Sequence, residues 1–373
     1  MKTRIYQLDS DANYWNVIRE ASACLREGGL VVFPTETVYG LGANATDARA
    51  LAKLREVKQR PDTKPFTVHI GNRGAVERYV PKISGLGRRL VSKGWPGPLT
   101  LIFQVDDPAA APVIRDTGPE HVKAMYHDGT IGIRCPDDRA ATDLLNEVGV
   151  PIVAASANPG GHPAPVEAGE TIESLDGQVD MILDNGRTRY AKASTILRID
   201  GERYNFIREG VLDERGVRRL SRVNFLLVCT GNTCRSPMAE GLLRQMLAAR
   251  LGCQAEELDD RGYGIESCGT AAREGVEPSP EAVRVMQGRG IDISDHRSRS
   301  LAVDQLDRAD YIFTMNRSHL VSVKALSTRA QSCARRIADR DIEDPIGGND
   351  TDYAECARSL EQALRQRLEE VVF

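Results

Sequence analysis

Apolar residues in this chain fall in short runs, separated by polar stretches with helical spacing. The first run, Gly28-Gly29-Leu30-Val31-Val32-Phe33-Pro34, is β-rich and closed by proline. Further runs at Phe66–Ile70, Leu99–Phe103, Gly132–Arg134, Ile152–Ala155 and Thr195–Ile199 predict more strands. Between them, Ala48–Val57 repeats its apolar positions at three- and four-residue intervals, which predicts a helix. Val211–Arg222 turns polar and basic, and reads as a linker or as a helix docked between two halves. A second series then opens. Strands are predicted at Val223–Val228, Tyr263–Ser267 and Tyr311–Met315, with helices at Met238–Arg250, Ser279–Gly288 and Tyr353–Val371. That alternation is the pattern of a βαβ sheet. The expectation is an α/β chain of two domains, 10–210 and 223–373, joined by 211–222. No internal repeat or low-complexity tract interrupts it.

Composition narrows the function classes. The 373 residues suit two domains, and 41% hydrophobic with 27% charged residues is globular composition. A net charge of −4 means that any nucleic-acid contact must come from a local basic patch. No apolar stretch approaches the ~20 residues of a membrane span, and Met1–Gln7 lacks the apolar core of a secretion signal. The eight cysteines are scattered and none forms a Cys-x2-Cys pair, which argues for a reducing compartment and against a zinc knuckle. A cytoplasmic protein without membrane contact is expected.

The most informative segment is Cys229-Thr230-Gly231-Asn232-Thr233-Cys234-Arg235-Ser236-Pro237, placed between an apolar strand and a helix. Such a loop aims backbone N–H groups at one point, and the helix N-terminus adds positive potential. A phosphate would be held by that nest and by the planar fork of Arg235. The same field favours the thiolate of Cys229, a nucleophile. Gly231 permits the tight turn, Asn232 can lock it, and Ser236 can donate to the sulfur. Asp344, stiffened by Pro345, is the candidate acid for the leaving group.

Together with Gly264–Thr270, Gly290–His296 and the late Asp-Pro, this segment resembles the low-molecular-weight protein tyrosine phosphatase family from Val223 onward. The resemblance implies a small parallel-sheet fold and a cysteinyl-phosphate intermediate. It also implies Cys229 as nucleophile, Arg235 as clamp, Asp344 as general acid, no metal and no cofactor. Cys234 reads either as a core thiol or as the partner of Cys229 in a protective disulfide. Thr233 stands where tyrosine-specific members carry a branched apolar residue, and Ile346 follows Asp344-Pro345 where an aromatic wall is common. Both features lean toward phosphoarginine or broad specificity over strict phosphotyrosine.

The first half carries no Walker loop and no dinucleotide fingerprint. It does carry Lys58-Gln59-Arg60-Pro61-Asp62-Thr63-Lys64-Pro65, three cations on a proline-stiffened loop that suit a triphosphate. Pro34-Thr35-Glu36-Thr37-Val38-Tyr39-Gly40, Trp95-Pro96-Gly97-Pro98 and Ser156-Ala157-Asn158 place turns and small polar groups beside predicted strands.

These pieces together resemble the YrdC family of threonylcarbamoyl-AMP synthases over about residues 10–210. The resemblance implies an open twisted α/β sheet. It implies synthesis of L-threonylcarbamoyladenylate from L-threonine, bicarbonate and ATP for tRNA modification, with Mg2+ accompanying ATP and with tRNA-modification partner proteins downstream. By similarity, Lys58, Arg60, Lys64, Thr130, Asn158 and Arg208 would hold the nucleotide. Thr37, His69, Arg134, Ser156 and Ser194 would surround the threonine. Relatives often carry Ser and Thr where this chain reads His162–Val166, so the resemblance implies one or two fewer hydroxyl contacts to the nucleotide here. The long members' extra domain is replaced here by the phosphatase. The rival reading makes the first half a double-stranded-RNA-binding module without synthase activity, leaving the phosphatase, with its phosphoprotein substrate, as the one catalyst.

Overall fold

The computed structural model describes residues 2–8, 13–61 and 65–371. The chain divides into two compact units, Met1–Leu220 and Ser221–Phe373. Among the described residues, no helix is long and apolar enough to cross a membrane.

The first unit is built on ten strands: β1 (Arg4–Gln7), β2 (Val31–Phe33), β3 (Gly40–Asn44), β4 (Thr67–His69), β5 (Leu99–Gln104), β6 (Thr130–Arg134), β7 (Ile152–Ser156), β8 (Met181–Asp184), β9 (Thr195–Asp200) and β10 (Arg203–Arg208). They form one mixed sheet in the order β1-β8-β2-β3-β7-β4-β6-β5-β9-β10. Its strands alternate in the usual period of two. Val68, Leu101, Ile131, Ile133 and Val153 enter the larger core. Phe33, Ile152, Ala154, Met181 and Leu183 enter a smaller core with the helices Tyr14–Arg26 and Arg139–Glu147. Farther along that second face, β4, β6 and β5 carry polar groups. Thr100 pairs with Arg134, Arg134 with His69, and His69 with Ile152, so these side chains form a row across four adjacent strands.

Several elements lie outside the patterned runs. β3 reads Gly-Leu-Gly-Ala-Asn, a sequence with low strand propensity. Its glycines are required by the Phe33 ring, which lies 3.1 Å from where a Cβ on Gly40 would stand and 2.9 Å from one on Gly42. The stretch after Val211 contains a helix, Glu214–Ser221, whose Val217 is fully buried in the first unit's core.

The second unit has four parallel strands, β11 (Val223–Cys229), β12 (Tyr263–Gly269), β13 (Tyr311–Thr314) and β14 (Ala334–Arg336), in the order β12-β11-β13-β14. The helices Arg235–Leu251 and Asp350–Glu369 pack on it through Met238, Leu242, Leu360 and Leu364. β11 and β12 end side by side at the loop after Cys229, at the carboxyl ends of the strands, where open parallel sheets hold ligands.

Candidate active sites

In the second unit, β11 ends at Cys229, and the helix that follows the loop starts at Arg235, with Ser236 and Pro237 in its first turn. The loop carbonyls are tied outward. Cys229 O accepts from Thr270 N (2.9 Å), Thr230 O from Ala271 N (3.0 Å) and Thr233 O from Ser279 N (2.9 Å), while Asn232 O lies 2.9 Å from His296 Nε2. A trans peptide points its C=O and the next N–H in opposite directions. The N–H groups of Gly231, Thr233 and Cys234 therefore point to the side opposite those partners. The left-handed turn falls on Asn232 (φ 55°), and Gly231 is not the residue that needs it. The Asn232 side chain holds that conformation, donating to Ser236 Oγ (2.8 Å) and Ser267 Oγ (2.9 Å) and accepting from Arg299 N (2.8 Å). Gly269 lets the loop lie flat on β12, since a Cβ there would stand 2.4 Å from Thr230 O.

Cys229 Sγ receives the N–H of Asn232 at 3.2 Å and lies 2.9 Å from Ser236 Oγ. Cys234 Sγ turns to Ser279 Oγ (2.9 Å) and Tyr353 OH (3.3 Å), and all eight cysteines are free thiols. Burial raises the pKa of Cys268, and pushes Cys356 up to about 12, so both stay protonated at neutral pH. Thr233 is half-buried, with Oγ1 3.6 Å from Cys234 Sγ. Arg235, almost wholly buried, donates to Ile342 O (3.1 Å), Thr230 Oγ1 (3.4 Å) and Asp344 Oδ2. His319 was not anticipated. It stands in the first turn of Arg317–Leu326, and its Nε2 lies 2.8 Å from Thr230 Oγ1. Burial, then Arg235, pulls its pKa down to about 4, and its buried Nδ1 has no partner among the described residues. Ile346, beside the acid loop, is 67% exposed, so no aromatic wall stands at that position.

In the first unit three groups assemble. Arg134 Nη2 donates to Thr35 Oγ1 (3.2 Å), Glu36 Oε1 (3.1 Å) and Thr37 Oγ1, while its buried Nε has no partner among the described residues. Lys58 Nζ donates to Ser156 O (2.6 Å), Asn158 Oδ1 (3.0 Å) and Asn158 O. This ammonium thus braces the Ser156–Asn158 loop, and burial, then Arg60, lowers its pKa to about 8. Arg208 holds Ser194 through its carbonyl (2.8 Å) and hydroxyl (3.2 Å), and Ser194 Oγ lies 3.0 Å from Thr100 Oγ1. The sheet register links the three groups, since Thr100 stands opposite Arg134 and Ser156 opposite Gly40, three residues beyond Thr37.

His69 shares the row with Arg134, and Nδ1 lies 3.0 Å from Thr67 O. Burial, then Arg134, lowers its pKa to about 3, so the ring is neutral. Arg60 lies over Phe66 at 4.9 Å and donates to Pro65 O (2.6 Å), and its Nε also lacks a partner among the described residues. Thr130 sits apart, four residues or ~13 Å along β6 from Arg134, bonded to His127 O at 2.8 Å. Lys64 lies outside the described residues.

Comparison with known proteins matches both units. The family model for Sua5, YciO and YrdC, described as Telomere recombination, matches residues 23–210, and that for low molecular weight phosphotyrosine protein phosphatase matches residues 224–372. The threonylcarbamoyl-AMP synthase of Bacillus subtilis is 40% identical over 180 residues, covering 48% of this chain and 49% of that protein. The chain spans about half the length of the first curated relatives it matches. The structure of P. abyssi Sua5 complexed with L-threonine aligns with a TM-score of 0.51 at 21% identity, covering 97% of this chain and 98% of that one, a likeness of fold. A low molecular weight protein tyrosine phosphatase from T. tengcongensis is 35% identical, covering 40% of this chain and 99% of that one, with a TM-score of 0.36. The chain belongs to the Sua5, YciO and YrdC family through residues 23–210, fused to a low molecular weight phosphotyrosine protein phosphatase domain at 224–372.

Proposed function

We propose that the chain is a bifunctional cytoplasmic enzyme. The first unit joins L-threonine, bicarbonate and ATP into L-threonylcarbamoyladenylate and releases pyrophosphate. The product then supplies the modification of tRNA through partner proteins. The threonine amine takes up CO2, derived from bicarbonate, as a carbamate, whose oxygen attacks the α-phosphorus. No protein nucleophile takes part, so the work is positioning and charge neutralisation. Arg134, with Thr37, His69, Ser156 and Ser194, seats the amino acid. Arg60, Lys64, Asn158, Arg208 and Thr130 meet the nucleotide, while Lys58 acts through the Ser156–Asn158 loop that it braces. Mg2+ arrives with ATP as its counter-ion. Among the described residues no group of three His, Cys, Asp or Glu is placed to hold a metal ion. The observation that supports this half is that Arg60 Nε and Arg134 Nε, one at each proposed anion seat, are buried and have no partner among the described residues. A buried donor without an acceptor is costly, and a bound phosphate or carboxylate satisfies it.

The second unit dephosphorylates phosphoprotein through a cysteinyl-phosphate. Cys229 attacks phosphorus, Arg235 and the inward N–H groups hold the equatorial oxygens, and Asp344 protonates the leaving atom. Water then cleaves the S–P bond with Asp344 as base, and Ser236 eases the departure of sulfur. The contact of Cys229 Sγ with Asn232 N–H and Ser236 Oγ supports this half. Thr233 and the exposed Ile346 favour phosphoarginine over phosphotyrosine.

Pyrophosphate release from ATP that needs both L-threonine and bicarbonate tests the synthase. Its absence with folded protein at millimolar substrate favours the RNA-binding module. Comparing kcat/KM on phosphoarginine and phosphotyrosine peptides tests the phosphatase, and a hundredfold preference for phosphotyrosine refutes the arginine reading.

A further inference from the structure

Glu36 has no part in either reaction as proposed, yet it is a fully buried carboxylate. Its Oε1 accepts from Arg134 Nη2 and its Oε2 from the backbone N–H of Asp137, each at 3.1 Å. Its carbonyl accepts from Tyr190 N at 2.8 Å, so the residue is fixed at both ends. Thr35 and Thr37 flank it and accept from the same Nη2. Three acceptors thus converge on one nitrogen of a planar group, while Nε of that group is buried without a partner among the described residues. Fixing one corner of a guanidinium fixes its plane and the direction of its other donors. A buried ion pair is weak support for stability, because apolar residues of similar size do as well or better. The arrangement is therefore better explained by orientation.

We propose that Glu36 is a positioning residue for the amino-acid seat. It holds the Arg134 guanidinium so that the Nε side meets the carboxylate of the bound L-threonine. It also offsets part of the Arg134 charge. The seat then recognises a carboxylate by directed hydrogen bonds as well as by charge. Arg134 lies close enough to act electrostatically on both His69 and Arg208. The inference rests on the synthase reading.

A double-mutant cycle on the full-length chain tests it, with Glu36→Gln, Arg134→Lys and the pair. Gln keeps the shape of Glu and one acceptor for Arg134, but cannot also accept from Asp137 N. Glu36→Gln is expected to raise KM for L-threonine about tenfold and to leave KM for ATP within about twofold. In the Arg134→Lys background the same change should add less than about twofold, because no fork remains to orient. Calorimetric binding of L-threonine without ATP should weaken in parallel. An unchanged threonine KM, or an equal tenfold effect in both backgrounds, overturns the proposal. Wild-type protein that releases no pyrophosphate defeats the synthase reading, whereas an active wild type with an indifferent Glu36→Gln defeats this inference alone.

Discussion

Arg235 donates through Nη2 to Asp344 Oδ2, joining the proposed phosphate clamp to the proposed acid across 109 residues of sequence. An ionised carboxylate on that guanidinium competes with phosphate oxygens for the same donor, and an acid must carry a proton. On the proposed mechanism, phosphate binding competes with this pair for Arg235. Asp344→Asn is expected to keep or tighten binding of inorganic phosphate. It should cut kcat about 10²–10³-fold on substrates with poor leaving groups, and much less on aryl phosphates with good ones. An equal loss on both substrate classes would remove Asp344 from the role of acid.

Cys229→Ser places an alcohol where the loop is built around sulfur. Turnover should fall below detection while phosphate binding persists, because the N–H groups and Arg235 are untouched. Residual turnover within tenfold of the parent would mean that another group attacks phosphorus.

His319 gives the second unit a pH dependence. Its pKa in the fold is about 4 against an ordinary 6.5. Between those values the unfolded chain binds a proton that the folded chain does not, so stability rises with pH through this window. The contribution is complete above 6.5 and is lost as the pH falls toward 4. The orphaned Nδ1 is consistent with this, since a second ring proton would find no acceptor among the described residues. His319→Gln keeps a neutral partner for Thr230 and should flatten the stability profile of this unit from pH 6.5 to 4. An unaltered slope would show that other groups carry the proton uptake.

Lys58→Met tests the brace on the Ser156–Asn158 loop. Removing the ammonium leaves buried carbonyls without a donor, at a cost of about 1–3 kcal/mol. The thermal transition of the first unit should fall by several degrees, and adenylate formation should fall with it. Loss of activity at an unchanged Tm would instead make Lys58 a direct phosphate contact.

The phosphatase loop was legible because its chemistry is contiguous. Cys229, Asn232, Arg235 and Ser236 sit within one strand–turn–helix, and Asp344 carries its own proline signal. His319 was not, because an Asn316 cap places it in a helical first turn but says nothing of Thr230, 89 residues earlier. In the first unit, the charge of Lys58 was legible but its depth was not, because a sequence shows charge and not burial. Burial gives it to two carbonyls and a side-chain amide. β3 escaped the strand pattern because its glycines answer to the Phe33 ring, a contact that has no local signature. Glu36 stood within a singled-out turn, yet its pairing with Arg134 depends on a sheet ten strands wide.

On the proposed function, one chain carries two separate chemistries at two sites. That is tested most directly by measuring L-threonine-dependent pyrophosphate release and phosphatase turnover together, on the parent chain, Arg60→Ala and Cys229→Ser. Arg60→Ala is expected to abolish the first activity and spare the second, and Cys229→Ser to do the reverse. Loss of both activities in either folded variant, or no threonine-dependent release from the parent, contradicts the proposed function.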